Sequence, residues 1–367
     1  MSTQARERAW FDSRTREVTD KARESLLRWA AKQLREGGTV RALGALETAY
    51  CPTRQREDGP RGIQSPPMWR PEWTDGVGDA ATLALSFSTS GWAWERPYTG
   101  DVFRLDRNGA FISAASSVSV AHGRLTHTGP GDSSTLRPGL YQVRVWNWNE
   151  WDRLPSPLGH APVGSRVWVS HVRAGKLAKL FEDGRWPDCT VEDSWTSGAP
   201  VRIRDWAKSY VQALRDHAIN KYGYKSPEYN EVKDSFSKAV TMMGGTLGEH
   251  GRRQWLPDVT ARRPDWTVAI RDLNAVTIWN AADRCHELLP HLGPVALGIV
   301  DEMWVPQEAY TILTTRPVST ARGQEPRIII DETGRKLGTW EVKSMDDDGN
   351  AQAEPWVSRY RPRAGAR

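Results

Sequence analysis

Residues 294–306 read PVALGIVDEMWVP. The apolar run VALGIV is followed by two adjacent carboxylates, Asp301 and Glu302, and then by a second apolar run, MWV. This pattern predicts a hairpin of two buried strands with both acids at its turn. Adjacent like charges at the edge of an apolar sheet repel each other and lose hydration, so a divalent cation is a natural way to stabilise them. A solvent-exposed turn is the plainer alternative and is equally compatible with the pattern.

A second acid-bearing segment lies far upstream, at residues 105–114, which read LDRNGAFISA. The preceding DVFRLD run predicts a strand that ends at Asp106, and Asn108 with Gly109 predicts a tight turn. Phe111 and Ser113 follow this turn. The ordinary interpretation is a strand, an Asn-Gly turn and a buried phenylalanine, and the segment alone does not decide against it.

The upstream segment resembles the first palm motif of family B DNA polymerases. That motif has Asp, Asn, a small residue, an aromatic residue and Ser at the spacing of Asp106, Asn108, Gly109, Phe111 and Ser113. The resemblance implies that Asp106 binds both magnesium ions and that Phe111 stacks under the incoming sugar and excludes a ribose 2′-hydroxyl. Asn108 is counted with Phe111 among the nucleotide-binding candidates. The motif usually has Tyr and Pro where this chain has Phe and Ile.

The VDEMW segment resembles the third palm motif, and its Asp-Glu form is similar to that of family A polymerases. The resemblance implies that Asp301 is the second metal ligand and that Glu302 is a supporting catalytic carboxylate. Two Mg²⁺ or Mn²⁺ ions about 3.5–4 Å apart activate a primer 3′-oxygen and stabilise leaving pyrophosphate. One acid from each of two distant strands is sufficient to bridge them.

The region between these two motifs changes to helical periodicity. Two helices are predicted between Arg204 and Met243, and a third runs from Pro264 to Leu288. In the polymerase scheme a fingers helix presents a basic residue to the triphosphate, and Lys238, with Lys233, is the candidate here. Gly244-Gly245 stands where the families have Tyr-Gly, and a plain surface lysine remains the alternative reading.

Arginine pairs flank this helical region, where a primer–template phosphate track would lie. Each phosphate that they neutralise would add salt-dependent affinity. The DNA-binding candidates are Arg252, Arg253, Arg262 and Arg263.

The predicted fold class is α+β, with a palm-like sheet built from two distant segments, a helical fingers-like insertion and an N-terminal helical region. The segment KLGTWEVKS, 336–344, resembles the Leu-Gly-aromatic strand that follows the metal hairpin in several polymerases. The predicted divisions are an N-terminal helical region 1–50, a linker 51–78, a first palm half 79–200, an insertion 201–255, a second palm half 256–345 and a polar tail 346–367. A strand is predicted at ATLALSF, residues 81–87.

Composition sets outer limits on the function. The 367 residues carry a net charge of +5, which permits an acidic partner. No apolar run approaches the roughly 20 residues of a membrane span, and no signal peptide is recognised, so a cytoplasmic protein is expected. The three cysteines are widely separated and favour neither zinc nor disulfides. No dinucleotide-binding, P-loop or hydrolase motif occurs in its required context.

The leading hypothesis is a small DNA-directed DNA polymerase that replicates a mobile element or linear replicon, with primer–template DNA and deoxynucleoside triphosphates as partners. The segments together resemble polymerase-like proteins of actinobacterial plasmids, telomere systems or phages, which leaves room for a terminal protein or other replication partner. A catalytically inactive palm that binds DNA or a replication partner is the second hypothesis. An unrelated α+β DNA-binding or structural protein is the third.

Overall fold

The computed structural model describes residues 80–84, 94–121, 125–131, 136–197, 200–202, 212–244, 246–247, 253–254, 263–298, 301–320 and 323–343. Two units are formed by these residues. Unit 1 contains the described parts of 1–90, 109–149 and 160–277, and unit 2 those of 91–108, 150–159 and 278–367. Among the described helices, none is long and apolar enough to cross a membrane.

Helices and strands are interspersed along the described parts of the chain. The helices are α1 (Ala110–Ala115), α2 (His171–Glu182), α3 (Ala213–Tyr222), α4 (Pro227–Gly244), α5 (Pro264–Leu288) and α6 (Gln307–Thr315). The strands are β1 (Trp94–Glu95), β2 (Val102–Arg107), β3 (Ser119–Ala121), β4 (Thr126–His127), β5 (Gly139–Arg144), β6 (Arg166–Ser170), β7 (Val191–Thr196), β8 (Pro200–Arg202), β9 (Thr246–Leu247), β10 (Arg253–Gln254), β11 (Ala296–Leu297), β12 (Glu302–Pro306), β13 (Pro317–Thr320), β14 (Gly323–Pro326) and β15 (Trp340–Lys343).

Unit 2 is built on a five-stranded antiparallel sheet in the order β1-β11-β12-β2-β15. The upstream strand β2 therefore lies between β12 and β15, which follow it by about two hundred residues in the sequence. This confirms the predicted mixture of helix and sheet and the assembly of one sheet from two distant segments. The hairpin predicted at 294–306 is present as β11 and β12, which pair through Leu297 and Met303. Of the two acids predicted at its turn, Glu302 is instead the first residue of β12.

The two faces of this sheet have opposite chemistry because side chains alternate along each strand. On one face, the central pair Leu105 and Met303 is fully buried together with Val305. Helix α6 follows β12 directly and buries Ala309 and Leu313. The Phe103 ring stacks on Tyr310, with ring centroids 4.1 Å apart. The opposite face carries the charged residues described below.

Unit 1 contains a four-stranded antiparallel sheet, β4-β7-β5-β6, and α2 begins where β6 ends. Ser170 is the N-cap of α2, and its hydroxyl accepts a hydrogen bond from the Val172 backbone N–H, as helix N-termini require. The same hydroxyl donates to Asp272, 2.8 Å away, on α5. Arg173 Nε donates to the other Asp272 oxygen at 2.8 Å. The buried network thus links the start of α2 to α5.

Several sequence-based predictions can be compared directly with the structure. Helix α5 has the predicted bounds, and α3 and α4 lie where two helices were expected. The strand predicted at ATLALSF is wrong, because residues 80–84 are helical. Ala80, Ala81 and Ala84 share the buried face of that helical turn, and alanine favours helix. The predicted divisions 79–200 and 256–345 do not coincide with the two units, and 1–50, 51–78 and 346–367 lie outside the described residues.

Substitution of Asp272 tests the buried network in unit 1. Asp272→Ala leaves the Arg173 guanidinium buried without its ion-pair partner, so the free energy of unfolding is expected to fall by about 3–5 kcal/mol. Urea unfolding followed by tryptophan fluorescence measures the change. Glu182→Ala, which removes an exposed partner of Lys179, is the control and is expected to leave stability unchanged. Equal effects of the two substitutions on stability would contradict the stabilising role of the buried ion pair between Asp272 and Arg173.

His286 predicts a loss of stability in mild acid. Burial, together with the charges of Arg153 and Arg96, lowers the pKa of this 2% exposed side chain to about 4. The unfolded chain, with a histidine pKa of about 6.5, binds a proton that the folded chain excludes between these values. This contribution to stability is therefore complete above about pH 6.5 and is lost as the pH falls towards 4.

The expected loss of unfolding free energy is about 2 kcal/mol between about pH 7 and pH 5. Carboxylates titrate in the same range, so the informative quantity is the difference between the wild type and His286→Gln. Urea unfolding at both pH values gives that difference. Parallel curves for the two proteins would show that His286 does not carry the effect.

Candidate active site

Three carboxylates form a row across the middle of the unit 2 sheet. Asp106 on β2 has Glu302 of β12 as its Cα partner on one side and Glu341 of β15 on the other. Directly paired residues share a face, and their Cβ atoms lie about 4.5–5.5 Å apart. Glu302, Asp106 and Glu341 therefore stand side by side, and we call them the carboxylate row.

The next row on the same face supplies the balancing cations. Here Arg104 of β2 is paired with Trp304 of β12 and with Lys343 of β15. The Lys343 ammonium lies 3.2 Å from an oxygen of Asp106 and 2.6 Å from an oxygen of Glu341.

At the other end of the carboxylate row, an Arg104 guanidinium nitrogen lies 2.5 Å from Glu302. That guanidinium is also 5.8 Å from the Trp304 ring centroid. Arg104 is therefore held between an aromatic face and a carboxylate.

The carboxylate row lies largely out of water, which raises the free energy of its negatively charged form. Asp106 is 8% exposed and Glu341 only 3% exposed. Like charges in such a medium repel strongly and are stable only beside cations. Partial burial opposes the charged form of Lys343, but the hydrogen bonds and negative charges of Glu341 and Asp106 outweigh it and raise the lysine pKa above its usual value. The side chain is consequently in its charged ammonium form at neutral pH.

Asp301 lies one residue before β12, in the turn of the hairpin. Its backbone carbonyl accepts a hydrogen bond of 3.0 Å from the Arg107 N–H, next to Asp106 on β2. Burial lowers the pKa of Arg107 to about 10, and the negative charge of Asp301 partly offsets this, so the guanidinium stays charged at neutral pH. The two predicted acid segments are therefore adjacent, but the register places Glu302 rather than Asp301 directly opposite Asp106.

The two strands of the hairpin approach each other closely at Gly298. Its backbone N–H donates to the Glu302 carbonyl at 3.0 Å, and a Cβ at this position would lie 2.7 Å from the Glu302 Cβ. The Glu302 Cβ is attached directly to the backbone and cannot move aside on its own, so only glycine fits at residue 298. The position of Glu302 in the carboxylate row therefore depends on the absence of a side chain at residue 298.

The residues predicted to bind nucleotide lie on different elements of the fold. Asn108 is buried, and its amide nitrogen donates to the Asp331 carbonyl at 2.9 Å and to the Thr339 hydroxyl at 3.3 Å, which favours a structural role. The turn predicted after it is confirmed, since Gly109 has φ 54°. Phe111 lies half-buried on α1 of unit 1. Lys233 is exposed on α4, and Lys238 lies on the same helix.

Of the predicted DNA-binding arginines, Arg263 has a well-defined environment. It is 2% exposed, and its guanidinium binds Asp265 at 2.7 Å and donates to the Ala121 carbonyl at 2.8 Å. A side chain buried this deeply presents no surface to a phosphate, so the structure assigns it to the core. Arg253 lies on the short strand β10. Arg252 and Arg262 lie outside the described residues.

Sequence reasoning missed three residues of this site, namely Arg104, Glu341 and Lys343. A signal was present in TWEVKS, where acid and base alternate with apolar residues, as on a strand with one charged face. The alternation identifies the face but not the neighbouring strand. The pairing of Glu341 with Asp106 arises only from a contact between segments more than two hundred residues apart.

The donor chemistry of the carboxylate row fits a hard divalent cation, since Mg²⁺ and Mn²⁺ prefer carboxylate oxygens. The Lys343 ammonium is itself a cation held between two of these carboxylates, and it marks a place where positive charge is stabilised. Among the described residues, no three His, Cys, Asp or Glu side chains are arranged so that they could hold a metal ion in this geometry. Asp106, Glu302 and Glu341 have the donor chemistry of metal ligands, but in this structure their oxygens pair with the Arg104 guanidinium and the Lys343 ammonium.

Of the comparisons with known proteins, the one with solved structures gives matches. No protein-family model and no curated protein matches the chain. Among solved structures, Phi29 DNA polymerase complexed with primer-template DNA and incoming nucleotide substrates is similar, with 13% identity, coverage of 76% of this chain and 49% of the polymerase, and a TM-score of 0.45.

Phi29 DNA polymerase complexed with single-stranded DNA matches with 12% identity, coverage of 76% and 48%, and a TM-score of 0.46. The chain spans about half the length of the polymerase structures that it matches. We therefore base the functional proposal on the geometry of the carboxylate row.

Gly298→Ala tests the hairpin that positions Glu302. The added methyl group forces β11 and β12 apart, so the free energy of unfolding is expected to fall by about 1–3 kcal/mol. Gly131→Ala is the matched control, because a Cβ at Gly131 meets no atom within 4 Å. Thermal and urea unfolding of both variants measure the effect. A Gly298→Ala protein as stable as the control would refute the close approach.

Proposed function

We propose that this chain catalyses DNA-directed nucleotidyl transfer with two Mg²⁺ or Mn²⁺ ions held by Asp106, the centre of the carboxylate row, and by the neighbouring Asp301. The observation that carries the proposal is the cross-strand alignment of Glu302, Asp106 and Glu341 on three neighbouring strands. Asp106 is its centre, and Asp301 and Glu302 come from the hairpin beside it. Acids on rigid neighbouring strands are pre-organised, which phosphoryl-transfer chemistry needs more than covalent chemistry by the protein.

Each residue of the site has its own proposed role. Asp106 and Asp301 are the proposed metal ligands, and Glu302, held by Arg104, is the supporting carboxylate. Bound metal supplies activation of the primer 3′-hydroxyl and charge neutralisation on the leaving pyrophosphate. In the transfer, the 3′-oxygen would form a bond to the α-phosphorus, the bond to pyrophosphate would break, and the hydroxyl proton would pass to a solvent water molecule.

The substrate side of the proposal rests on residues outside the carboxylate row. Phe111 is proposed to contact the sugar of the incoming deoxynucleotide, and Lys238, with Lys233, its triphosphate. Primer–template DNA is the proposed partner, for which the net charge of +5 is favourable. Replication of a mobile element or linear replicon, with a terminal protein as a further partner, is the proposed setting.

A second function is favoured by a specific observation. The Lys343 ammonium and the Arg104 guanidinium already neutralise the carboxylate row, so the sheet is stable without metal. A catalytically inactive palm that acts as a DNA-binding or replication-partner scaffold needs no metal, so this arrangement is compatible with it. It predicts salt-sensitive DNA binding without nucleotide incorporation.

Primer extension with Mg²⁺ or Mn²⁺ separates the two functions. The wild type, Asp106→Asn, Asp301→Asn and Glu302→Gln are compared, with DNA binding measured for each. The wild type is expected to extend the primer. Loss of a metal ligand at Asp106 or Asp301 is expected to reduce the rate at least about 100-fold while DNA binding is retained. Glu302→Gln is expected to have a smaller effect, because its role is support.

Glu308→Gln is the control, since Glu308 is exposed on α6 of the same unit. It is expected to extend the primer at the wild-type rate. DNA binding by all variants without extension by any would favour the scaffold. If the folded wild type neither binds DNA nor extends the primer, both functions are refuted.

A further inference from the structure

Lys343 extends its ammonium group into the carboxylate row, beside the proposed metal ligand Asp106. The group lies between Asp106, at 3.2 Å, and Glu341, at 2.6 Å, and so bridges two of the three carboxylates. We propose that Lys343 is an exchangeable internal cation, which neutralises the carboxylate row in the metal-free protein and leaves it when a divalent metal binds. This inference rests on the proposed metal site.

The geometry of β15 allows this exchange without movement of the sheet. The Cα partner of Lys343 is Arg104, so its side chain reaches back along the strand to the row of Asp106. Four flexible methylene groups connect the ammonium to the backbone, and rotation about them is sufficient to withdraw it. The side chain is 23% exposed, which gives the ammonium access to solvent.

Arg104, the other cation beside the carboxylate row, is less able to leave its position. Its guanidinium is fixed between Glu302, at 2.5 Å, and the Trp304 ring, at 5.8 Å. Planar guanidinium groups that are paired and stacked at once are held more rigidly than an ammonium. Of the two cations beside the carboxylate row, Lys343 is therefore the one suited to exchange.

Competition between lysine and metal has a measurable consequence. A divalent ion binds only the fraction of molecules in which Lys343 has left the row, and the apparent affinity is reduced by that fraction. An occupancy of about nine-tenths by the lysine would weaken apparent metal binding about tenfold. Removal of the ammonium should restore that factor.

Chemical labelling of the wild-type protein tests the exchange directly. Lysines are acetylated briefly with and without Mn²⁺ or Mg²⁺ at constant ionic strength, and modification is quantified by mass spectrometry. The metal is expected to increase labelling of Lys343 severalfold, while labelling of Lys336, an exposed lysine of the same unit, stays constant. Unchanged labelling of Lys343 under saturating metal would overturn the proposal.

Metal affinity of variants gives the second test. Mn²⁺ binding is measured by electron paramagnetic resonance of the free ion for the wild type, Lys343→Met and the charge-matched control Lys336→Met. Lys343→Met is expected to bind Mn²⁺ about tenfold more tightly, and Lys336→Met as the wild type does. Equal affinities of the two variants would overturn the proposal, and circular dichroism confirms that both are folded.

The two proposals fail in different ways. Tight Mn²⁺ binding by Lys343→Met together with metal-dependent labelling, but no primer extension, would support the exchange and reject the polymerase activity. Primer extension and Mn²⁺ binding with unchanged Lys343 labelling would keep the activity and reject the exchange. Absence of Mn²⁺ binding in the wild type and in Lys343→Met would reject both.

Discussion

The contact of the Lys343 ammonium with Asp106 and Glu341 is the interaction on which the unit 2 sheet depends. Antiparallel pairing of β12, β2 and β15 sets three acids side by side, two of them almost entirely out of water. Such an arrangement is unstable unless a cation lies within a few ångströms of it. The protein supplies one from the same strand that contributes the third acid, two residues further along.

The register of the sheet follows from the same requirement. A shift of one residue in β15 would turn Glu341 and Lys343 to the apolar face and bring Val342 into the carboxylate row. The hydrophobic packing of Leu105 against Met303 on the other face opposes that shift as well. Charge pairing on one face and apolar packing on the other therefore select one register, and Gly298 permits the hairpin to close at that register.

Sequence patterns located these strands better than they identified their neighbours. The apolar runs around Asp106 and Asp301 predicted β2 and the hairpin, because burial of one face leaves a local signature. Glu341 and Lys343 carried the same local signature but no indication of their partner, since strand pairing over two hundred residues is decided by the folded sheet. Residues 80–84 were misread because a short run of Ala and Leu fits a buried helix and a buried strand equally well. Asn108 fitted a motif, yet its amide nitrogen binds Asp331 and Thr339.

A polymerase and an inactive scaffold differ at this site only in the source of positive charge. Both need the carboxylates in one row, and both need that row neutralised. In the scaffold the ammonium of Lys343 does this permanently, whereas in the enzyme a divalent ion must displace it and keep the acids in place. Because a ligand shifts an equilibrium only by its differential affinity for the two states, the strength of the Lys343 contact sets how tightly metal must bind before chemistry begins. Under the proposed exchange, the ion pair that neutralises the carboxylate row in the absence of metal therefore also limits the proposed metal-dependent activity.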